Sequence, residues 1–529
     1  MTTFFRKARL AAMAALLAPA LLLGGCTDLG EEISSAVEAD NFFQTEAEVT
    51  AALVPVYAQL RAMLWAYHNL SQVTSDETIV PTRGEDWADG GRWLSMHRHN
   101  WDANLVDLND AWVAAYTGVA RANALLLNLE SIELDNKADI VAEIRALRAF
   151  YYYQLLDFFG GVPIVGDEEG EFLVDPDNPP PSASRADVYN FVVNELEAAG
   201  AALPDEAAVY GRMTKGAADA MLANLFINAA VFQNDANSIS TSGYNSCASA
   251  GTCQAAIDAV NRILNSGAGY TLLDDWASNF TPDNVQSSEH LFVVQHNTEA
   301  GLGMSFPMRY LHYNQITPSP WNGFSTISET YNAFSDDDLR KDVFLVGQQV
   351  NLQTGEEVND RNNNPLVFTP ECGDINNTSE GACVRVAKFP PDLSFTDGNG
   401  HSNDYAFFRL AEMYLIRAEA NNELGNLDAA IQDINMLRQR VWDPEGGTSL
   451  DDFLLDAADF SQATLRDRIL DERLYELMYE AKRRQDLVRW GQYDDEWQYK
   501  EASGDFRVLF PVPQLQIDAN PFITQNIGY

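Results

Sequence analysis

The sequence predicts a mostly α-helical protein: a tetratricopeptide-like scaffold of helical hairpins with an irregular, loop-rich insertion that contains a few short strands. Three observations predict it. Apolar residues recur at three- and four-residue spacing towards both ends of the chain, which gathers them on one face of a helix. Gly425 and Asn426 separate two such stretches; a left-handed glycine ends one helix and an amide side chain can cap the next, giving a tight antiparallel hairpin. Between Tyr270 and about Tyr405, Pro, Gly, Asn and Asp instead interrupt every short segment.

Taken in order, the chain opens with Arg6, Lys7 and Arg9, an apolar run from Leu10 to Leu23, and Leu23-Gly24-Gly25-Cys26. A basic start, a short apolar core and small residues before a cysteine read as a removable lipoprotein signal over residues 1–25. Cys26 is then the lipidation site, and acyl chains on its thiol and new amino group would anchor the protein to a membrane without crossing it. Residues 26–44, acidic and polar, read as a tether. No later segment supplies the roughly 20 uninterrupted apolar residues of a membrane-crossing helix.

Residues 45–270 read as an N-terminal helical part. Thr45 to His68 places Val49, Leu53, Val56, Tyr57, Leu60 and Leu64 on one face. Similar faces recur in Asn109 to Leu129, Lys137 to Phe159, Ser184 to Ala199, Lys215 to Phe232 and Cys253 to Leu264. Residues 271–405 read as an irregular, ligand-side segment, with strand-like pieces at His290 to His296 and Val384 to Phe389 and a hairpin around Thr354-Gly355. A connection this long without regular structure usually carries function. Residues 406–529 close the same domain with helices at Tyr405 to Glu423, Asn426 to Arg440 and Thr464 to Trp490.

Composition narrows the function. The chain has 34 Lys and Arg against 77 Asp and Glu, a net charge of −43. Without residues 1–25 it becomes −46 over 504 residues. So acidic a molecule repels nucleic acid and anionic head groups. After Cys26, four cysteines remain. Three pairings are open; Cys247 with Cys253 and Cys372 with Cys383 are favoured, because each closes a short polar loop outside the cytoplasm. Neither pair has the spacing of structural zinc ligands, and Met96-His97-Arg98-His99, the one dense histidine stretch, lacks a third ligand. Asp336-Asp337-Asp338 lacks the alternation of a calcium loop and reads as acids at a helix start. No phosphate-cradling glycine loop, His-Glu-x-x-His or Gly-x-Ser-x-Gly is present. Neither a metal nor a cofactor is expected.

Charged residues on the helices read as structural. Glu472, Glu476, Glu480 and Arg484 stand four apart and suit ion pairing along a helix, and Glu143, Arg145 and Arg148 suit helix packing. Trp112, Tyr116 and Asn123 belong to the core. Aromatic residues in loops are the better site candidates, because sugars offer C–H faces to rings and hydroxyl edges to amides, carboxylates and guanidinium groups. Two stretches combine these. Ser75 to Asp102 holds Arg83, Asp86, Trp87, Arg92, Trp93 and Trp101. Tyr310 to Thr326 holds Tyr310, His312, Tyr313, Asn314, Trp321 and Asn322. The plainer reading of each ring is local core beneath a long loop. Trp93 and Trp321 are the first to test, with the expectation that replacing both by Ala weakens binding and leaves the fold intact.

Four stretches resemble one known family. These are Glu143 to Ile164 (EIRALRAFYYYQLLDFFGGVPI), Phe408 to Ala420 (FRLAEMYLIRAEA) with its continuation through Asn426 and Ile434 to Arg438, Ile469 to Trp490 (ILDERLYELMYEAKRRQDLVRW), and the chain end from Leu509-Phe-Pro-Val-Pro513 to Gln525-Asn-Ile-Gly-Tyr529. Together with Cys26 they resemble, in order, the SusD/RagB family of outer-membrane nutrient-binding lipoproteins. The resemblance implies a helical lipoprotein facing the cell exterior that sits as a lid on a SusC-like TonB-dependent β-barrel transporter. It implies delivery of oligosaccharides to that barrel, or of peptides in some branches, and no catalysis. A surface glycosidase would need two carboxylates flanking one cleft, and a scaffold without a ligand would show no binding.

Overall fold

The computed structural model describes residues 45–166, 172–234, 243–394 and 400–529. Cys26, the signal segment and the tether up to residue 44 lie outside the described residues. The chain divides into Met1–Val49 and Thr50–Tyr529. The described part of the first unit begins helix α1 (Glu46–Gln72). There the Thr45 N–H donates to the Glu48 carboxylate at 2.9 Å and the Glu48 N–H to Thr45 Oγ1 at 3.3 Å, satisfying two amides that a helix start leaves open.

By length and composition α1 could cross a membrane. Its polar residues show a different role. Gln59, Asn69 and Gln72 are buried beside the apolar Leu53, Val56, Leu60 and Leu64, and they bond to Ala114 O, Asp107 and Glu77. These protein partners make α1 a core helix. It is followed by α2 (Arg92–His97), α3 (Val106–Leu129), α4 (Lys137–Phe159), α5 (Arg185–Gly200), α6 (Lys215–Ile227), α7 (Ala229–Phe232), α8 (Cys247–Ala250) and α9 (Cys253–Leu264). Successive helices pack as pairs, α3 on α4, α4 on α5 and α6 on α9. Helix α3 approaches α4 so closely that a Cβ on Gly118 would lie 2.5 Å from the Tyr151 ring; glycine alone fits. Tyr151 and Tyr153 are buried on α4, and each phenol finds a partner, Val56 O and Asn224, as a buried hydroxyl requires.

The middle of the chain contains β1 (His290–Val294), α10 (Phe306–Tyr310), α11 (Ser328–Ala333), β2 (Phe344–Leu345), β3 (Gly347–Gln348), β4 (Val367–Phe368) and β5 (Arg385–Val386). It is an irregular region with short two-stranded pairings, β2 with β5 and β3 with β4. Cys247 is bonded to Cys253 and Cys372 to Cys383. Then come β6 (Tyr405–Arg409), α12 (Leu410–Glu423), α13 (Leu427–Arg438), α14 (Leu450–Phe453), α15 (Gln462–Leu477), α16 (Arg483–Trp490) and α17 (Gln514–Ala519). This mostly helical architecture is the one the sequence predicts.

Local expectations fail at identifiable points. Tyr405 to Arg409 is a strand, antiparallel to β1, because all five residues are buried and a strand can hide side chains on both faces. Asn426 makes no side-chain cap; Gly425, at φ 81°, turns the hairpin alone. The long helix expected over Thr464 to Trp490 breaks into α15 and α16 at Tyr479 and Ala481, both left-handed at φ 64° and 60°. Two buried side chains hold that turn. Glu77 accepts the Tyr479 N–H at 3.1 Å, and Gln72 accepts the Ala481 N–H at 2.9 Å.

The charged residues of α15 and of the turn that follows it pair mainly across the core. Glu476, fully buried, accepts from Arg409 and Arg440 at 2.7 Å each, from Arg340 at 3.1 Å and from the Trp276 indole at 3.0 Å. Glu472 meets Arg340 at 2.7 Å and Arg438 at 2.9 Å. Glu480 meets Lys388 at 2.5 Å and Arg409 at 2.7 Å. Through Trp276, Arg340 and Lys388 this network fastens the irregular segment to the helical scaffold.

Candidate functional site

The two aromatic loop stretches meet. Ile79 pairs with Ser325, and Arg83, almost wholly buried, donates to Asn322 O at 2.8 Å, Ser379 O at 2.9 Å and Ser325 Oγ at 2.9 Å. All three guanidinium nitrogens are thus committed, so Arg83 pins the loops together and does not reach outward. Asn322 is its counterpart. It is fully buried at φ 52°, its Nδ2 donates to Glu380 O at 3.1 Å, and its Oδ1 accepts from Arg385 at 2.9 Å. Tyr310 is also buried, its hydroxyl donating to Phe389 O at 3.0 Å.

Trp93 lies in the core at 2% exposure. Its indole donates to Asp89 at 2.6 Å and its ring meets Phe324 and Trp87 edge-on. Arg92 covers Trp93 at 4.2 Å and pairs with buried Asp107 at 2.9 Å. Trp101 is buried against Phe510. Arg83, Trp93, Tyr310 and Asn322 therefore build the platform, with their polar groups committed within the protein, while Trp101 packs apart from it against His99, Phe510 and Tyr529. Replacing Trp93 together with Trp321 would therefore confuse folding with binding, because Trp93 is part of the core.

What faces outward sits on that platform. Trp321 is half-buried and meets Trp65 edge-on, ring centroids 6.2 Å apart. Trp65, 37% exposed, projects from α1, and the buried guanidinium of Arg309 lies 3.8 Å from its ring centroid. Trp87, at φ 60°, donates to Trp321 O at 2.6 Å and presses on Gly323, where no Cβ would fit. The preceding Asp86 accepts from the Tyr313 hydroxyl at 2.6 Å and from Arg361 at 2.8 Å. Arg361 stacks 4.1 Å from the Tyr313 ring and also grips Glu380 at 2.5 Å. Trp65 and Trp321 thus supply exposed rings, and Asp86, Tyr313 and Arg361 a polar border joined to them through Trp87.

The protonation states follow from these bonds. The Tyr313 hydroxyl holds the Asp86 carboxyl below its ordinary value against partial desolvation, with Arg361 assisting. Desolvation would raise Glu380, but hydrogen bonds from Arg361 and His312 outweigh it and hold it low. His312 accepts the Asn314 N–H on Nδ1, so its Nε2 carries the proton towards Glu380. Both carboxylates are ionised acceptors at neutral pH, suited to sugar hydroxyls and unsuited to donating a proton to a leaving group. Among the described residues no group of three or more His, Cys, Asp or Glu is placed to hold a metal ion. His97 ends α2, and His99 is left-handed at φ 54°; His97 meets Thr78 O and Gln498 O, and His99 meets Thr74 O.

Sequence reasoning missed Trp65 and Arg361. Trp65 follows Leu64 on α1 and so stands about 100° off the apolar face; a tryptophan on the wet side of an amphipathic helix was the available signal. Arg361 sits in a run of Asn and Asp that reads as a turn, and only the fold brings it to Asp86.

The comparisons agree with this architecture. A family model described as "SusD family" matches residues 323–508, and one described as "Starch-binding associating with outer membrane" matches residues 31–227. The chain is similar to SusD-like protein P25 of Formosa agariphila, 24% identical over 95% of this chain and 96% of the relative. It is also similar to the starch-binding protein SusD of Bacteroides thetaiotaomicron, 24% identical over 73% of this chain and 72% of that protein. The solved structure of surface glycan-binding protein A from Bacteroides thetaiotaomicron in complex with laminarihexaose shares the fold, with a TM-score of 0.69 at 19% identity over 91% of this chain and 99% of the other. Together the two matched regions span most of the chain, and the chain belongs to the SusD/RagB family.

Proposed function

We propose that this protein captures an oligosaccharide non-covalently at the cell surface and passes it to a SusC-like TonB-dependent β-barrel in the outer membrane, to which acyl chains on Cys26 tether it. The observation that carries the reading is the exposed Trp65–Trp321 pair bordered by Asp86, Tyr313 and Arg361. Rings offer C–H faces a dry, rigid contact at low entropic cost, and the ionised border offers acceptors and donors to hydroxyl edges. The starch-binding relative and the laminarihexaose complex support the same ligand class.

The surface is open, so affinity comes from stacking and edge hydrogen bonds along several sugar units. Among the described residues, the carboxylates that border the rings, Asp86 and Glu380, are both engaged by Arg361, so neither stands free to act in breaking a glycosidic bond. A calorimetric screen of the full chain against neutral oligosaccharides and unrelated peptides tests the reading. It predicts saturable binding of at least one oligosaccharide of four or more units and no hydrolysis on prolonged incubation. Binding of peptides alone, or release of reducing ends, would overturn it.

A further inference from the structure

A second hollow, of about 630 Å³, lies where the residues after α2 meet the loop after α16, apart from the aromatic surface. That is room for a sugar unit. Its wall brings together Arg98, Lys500 and Arg507, with Trp497 and Tyr499 beside them. Among the described residues Glu501 is the one acid on the wall, and it is exposed to solvent.

None of the three cations forms an ion pair among the described residues. Arg98 donates to Asn376 Oδ1 at 3.2 Å, Arg507 to Trp101 O at 2.5 Å, and Lys500 to Asp495 O at 2.5 Å and Glu501 O at 3.3 Å. The contrast lies in the core, where Arg340, Arg409, Arg440 and Arg489 each meet two or more carboxylates. Carboxylates are abundant in this chain, 77 against 34 bases, yet the oxygens that accept hydrogen bonds from these three cations are neutral; Asp494 and Asp495 act on Lys500, and Asp374 on Arg98, only beyond ion-pair distance. Lys500 is 3% exposed, its ammonium 3.9 Å over the Trp497 ring, and desolvation lowers its pKa to about 8. An incoming anion would relieve that desolvated charge. The wall's histidine adds none. His99 faces Thr74 O through Nε2, its Nδ1 meets Ser503 Oγ, and burial keeps its pKa well below the ordinary value. Trp497 Nε1 is buried without a hydrogen-bond partner, a donor the wall leaves unused.

We propose that this pocket is a subsite for an anionic sugar unit, a ring bearing a carboxylate or sulfate, whose oxyanion is met by Arg98, Lys500 and Arg507 and whose ring lies against the wall aromatics. The assignment rests on the saccharide-binding reading above and narrows it to glycans that carry acid groups. Arginine forks suit planar and tetrahedral oxyanions alike, and the three cations offset locally the repulsion such a glycan meets from a strongly acidic protein.

The test titrates the full chain with glucuronate, glucose 6-sulfate, glucose and inorganic sulfate, followed by saturation-transfer NMR. At least one charged sugar should bind tenfold or more tightly than glucose, and which one does so tells carboxylate from sulfate. Arg98→Gln, at a half-exposed residue, should weaken that sugar about tenfold, the size of one charge-assisted bond, and Arg507→Gln serves as a second variant. Equal binding of glucose, an unchanged affinity in both variants, or inorganic sulfate binding as tightly as the sugar, an adventitious ion only, would overturn the subsite. If the charged sugars fail while a neutral oligosaccharide still binds the wild type, the subsite alone falls. If no saccharide of either kind binds, the saccharide-binding reading falls with it.

Discussion

Replacing Glu476 by Gln removes a negative charge where three arginines converge. Its carboxylate is fully buried and takes hydrogen bonds from Arg340, Arg409, Arg440 and Trp276 at 2.7 to 3.1 Å. At an effective dielectric of about 20, a unit charge pair about 4 Å apart is worth roughly 4 kcal/mol, so three contacts carry roughly 12 kcal/mol of gross attraction. Desolvating the carboxylate offsets several kcal/mol of that. Glutamine keeps one acceptor but turns an amide N–H₂ towards an arginine. Each arginine retains another carboxylate, Arg340 with Asp338 and Glu472, Arg409 with Glu480 and Arg440 with Glu289, which limits the damage. The expected loss is about 3–5 kcal/mol, that of removing one partner from a buried pair, read as a shift in denaturant midpoint by circular dichroism. Hydrogen exchange should rise around Trp276, Arg340 and Lys388 as the middle segment loosens. The arginines outweigh desolvation and hold Glu476 well below its ordinary pKa. Its contribution is therefore fully present above the unfolded value near 4.5 and is lost progressively as pH falls from there towards the much lower folded value, so the gap between wild type and variant should begin to shrink below about pH 4.5 and close only near the folded pKa. A loss under about 1 kcal/mol at pH 7, or a difference that does not shrink in acid, would refute the reasoning.

Two further predictions concern the fold. Burial, with Asp76 beside it, raises the Glu77 pKa to about 8, so the folded state holds that proton more tightly than the unfolded chain. Stability from this group is complete below about pH 4.5 and falls as pH rises towards 8; Glu77→Gln should flatten that fall by roughly 3 kcal/mol at pH 7, as checked by denaturant titrations from pH 5 to 8. Trp93→Ala should cost about 3–5 kcal/mol, because the ring is buried against Phe324 and Trp87; a change under 1 kcal/mol would show that Trp93 does not support the platform.

Much of the scaffold was legible because helix periodicity is local. Lys137–Phe159 and Cys253–Leu264 have the expected bounds. Breaks were not legible where distant side chains impose them: the turn at Tyr479 and Ala481 depends on Gln72 and Glu77, some 400 positions away. The site divides in the same way. Composition singled out loops rich in rings and polar groups, and the two loops do meet. It did not tell a ring that faces solvent from one that supports it, because exposure is set by pairings such as Arg83 with Asn322 across 239 residues. Trp321, Tyr313, Asp86 and Trp87 retain access to solvent, while Trp93, Tyr310, Arg83 and Asn322 hold the platform.

The most direct test of the central claim, that exposed rings grip a glycan, is calorimetry of the full chain and of Trp65→Ala, Trp321→Ala and the double variant with the tightest oligosaccharide from the screen. A sugar face covering about 60 Å² of ring gains roughly 1.5 kcal/mol. Each single variant should therefore raise Kd about tenfold and the double about a hundredfold, with the unfolding midpoint of Trp321→Ala little changed. An unchanged Kd in the double variant would place the ligand elsewhere on the molecule and contradict the account.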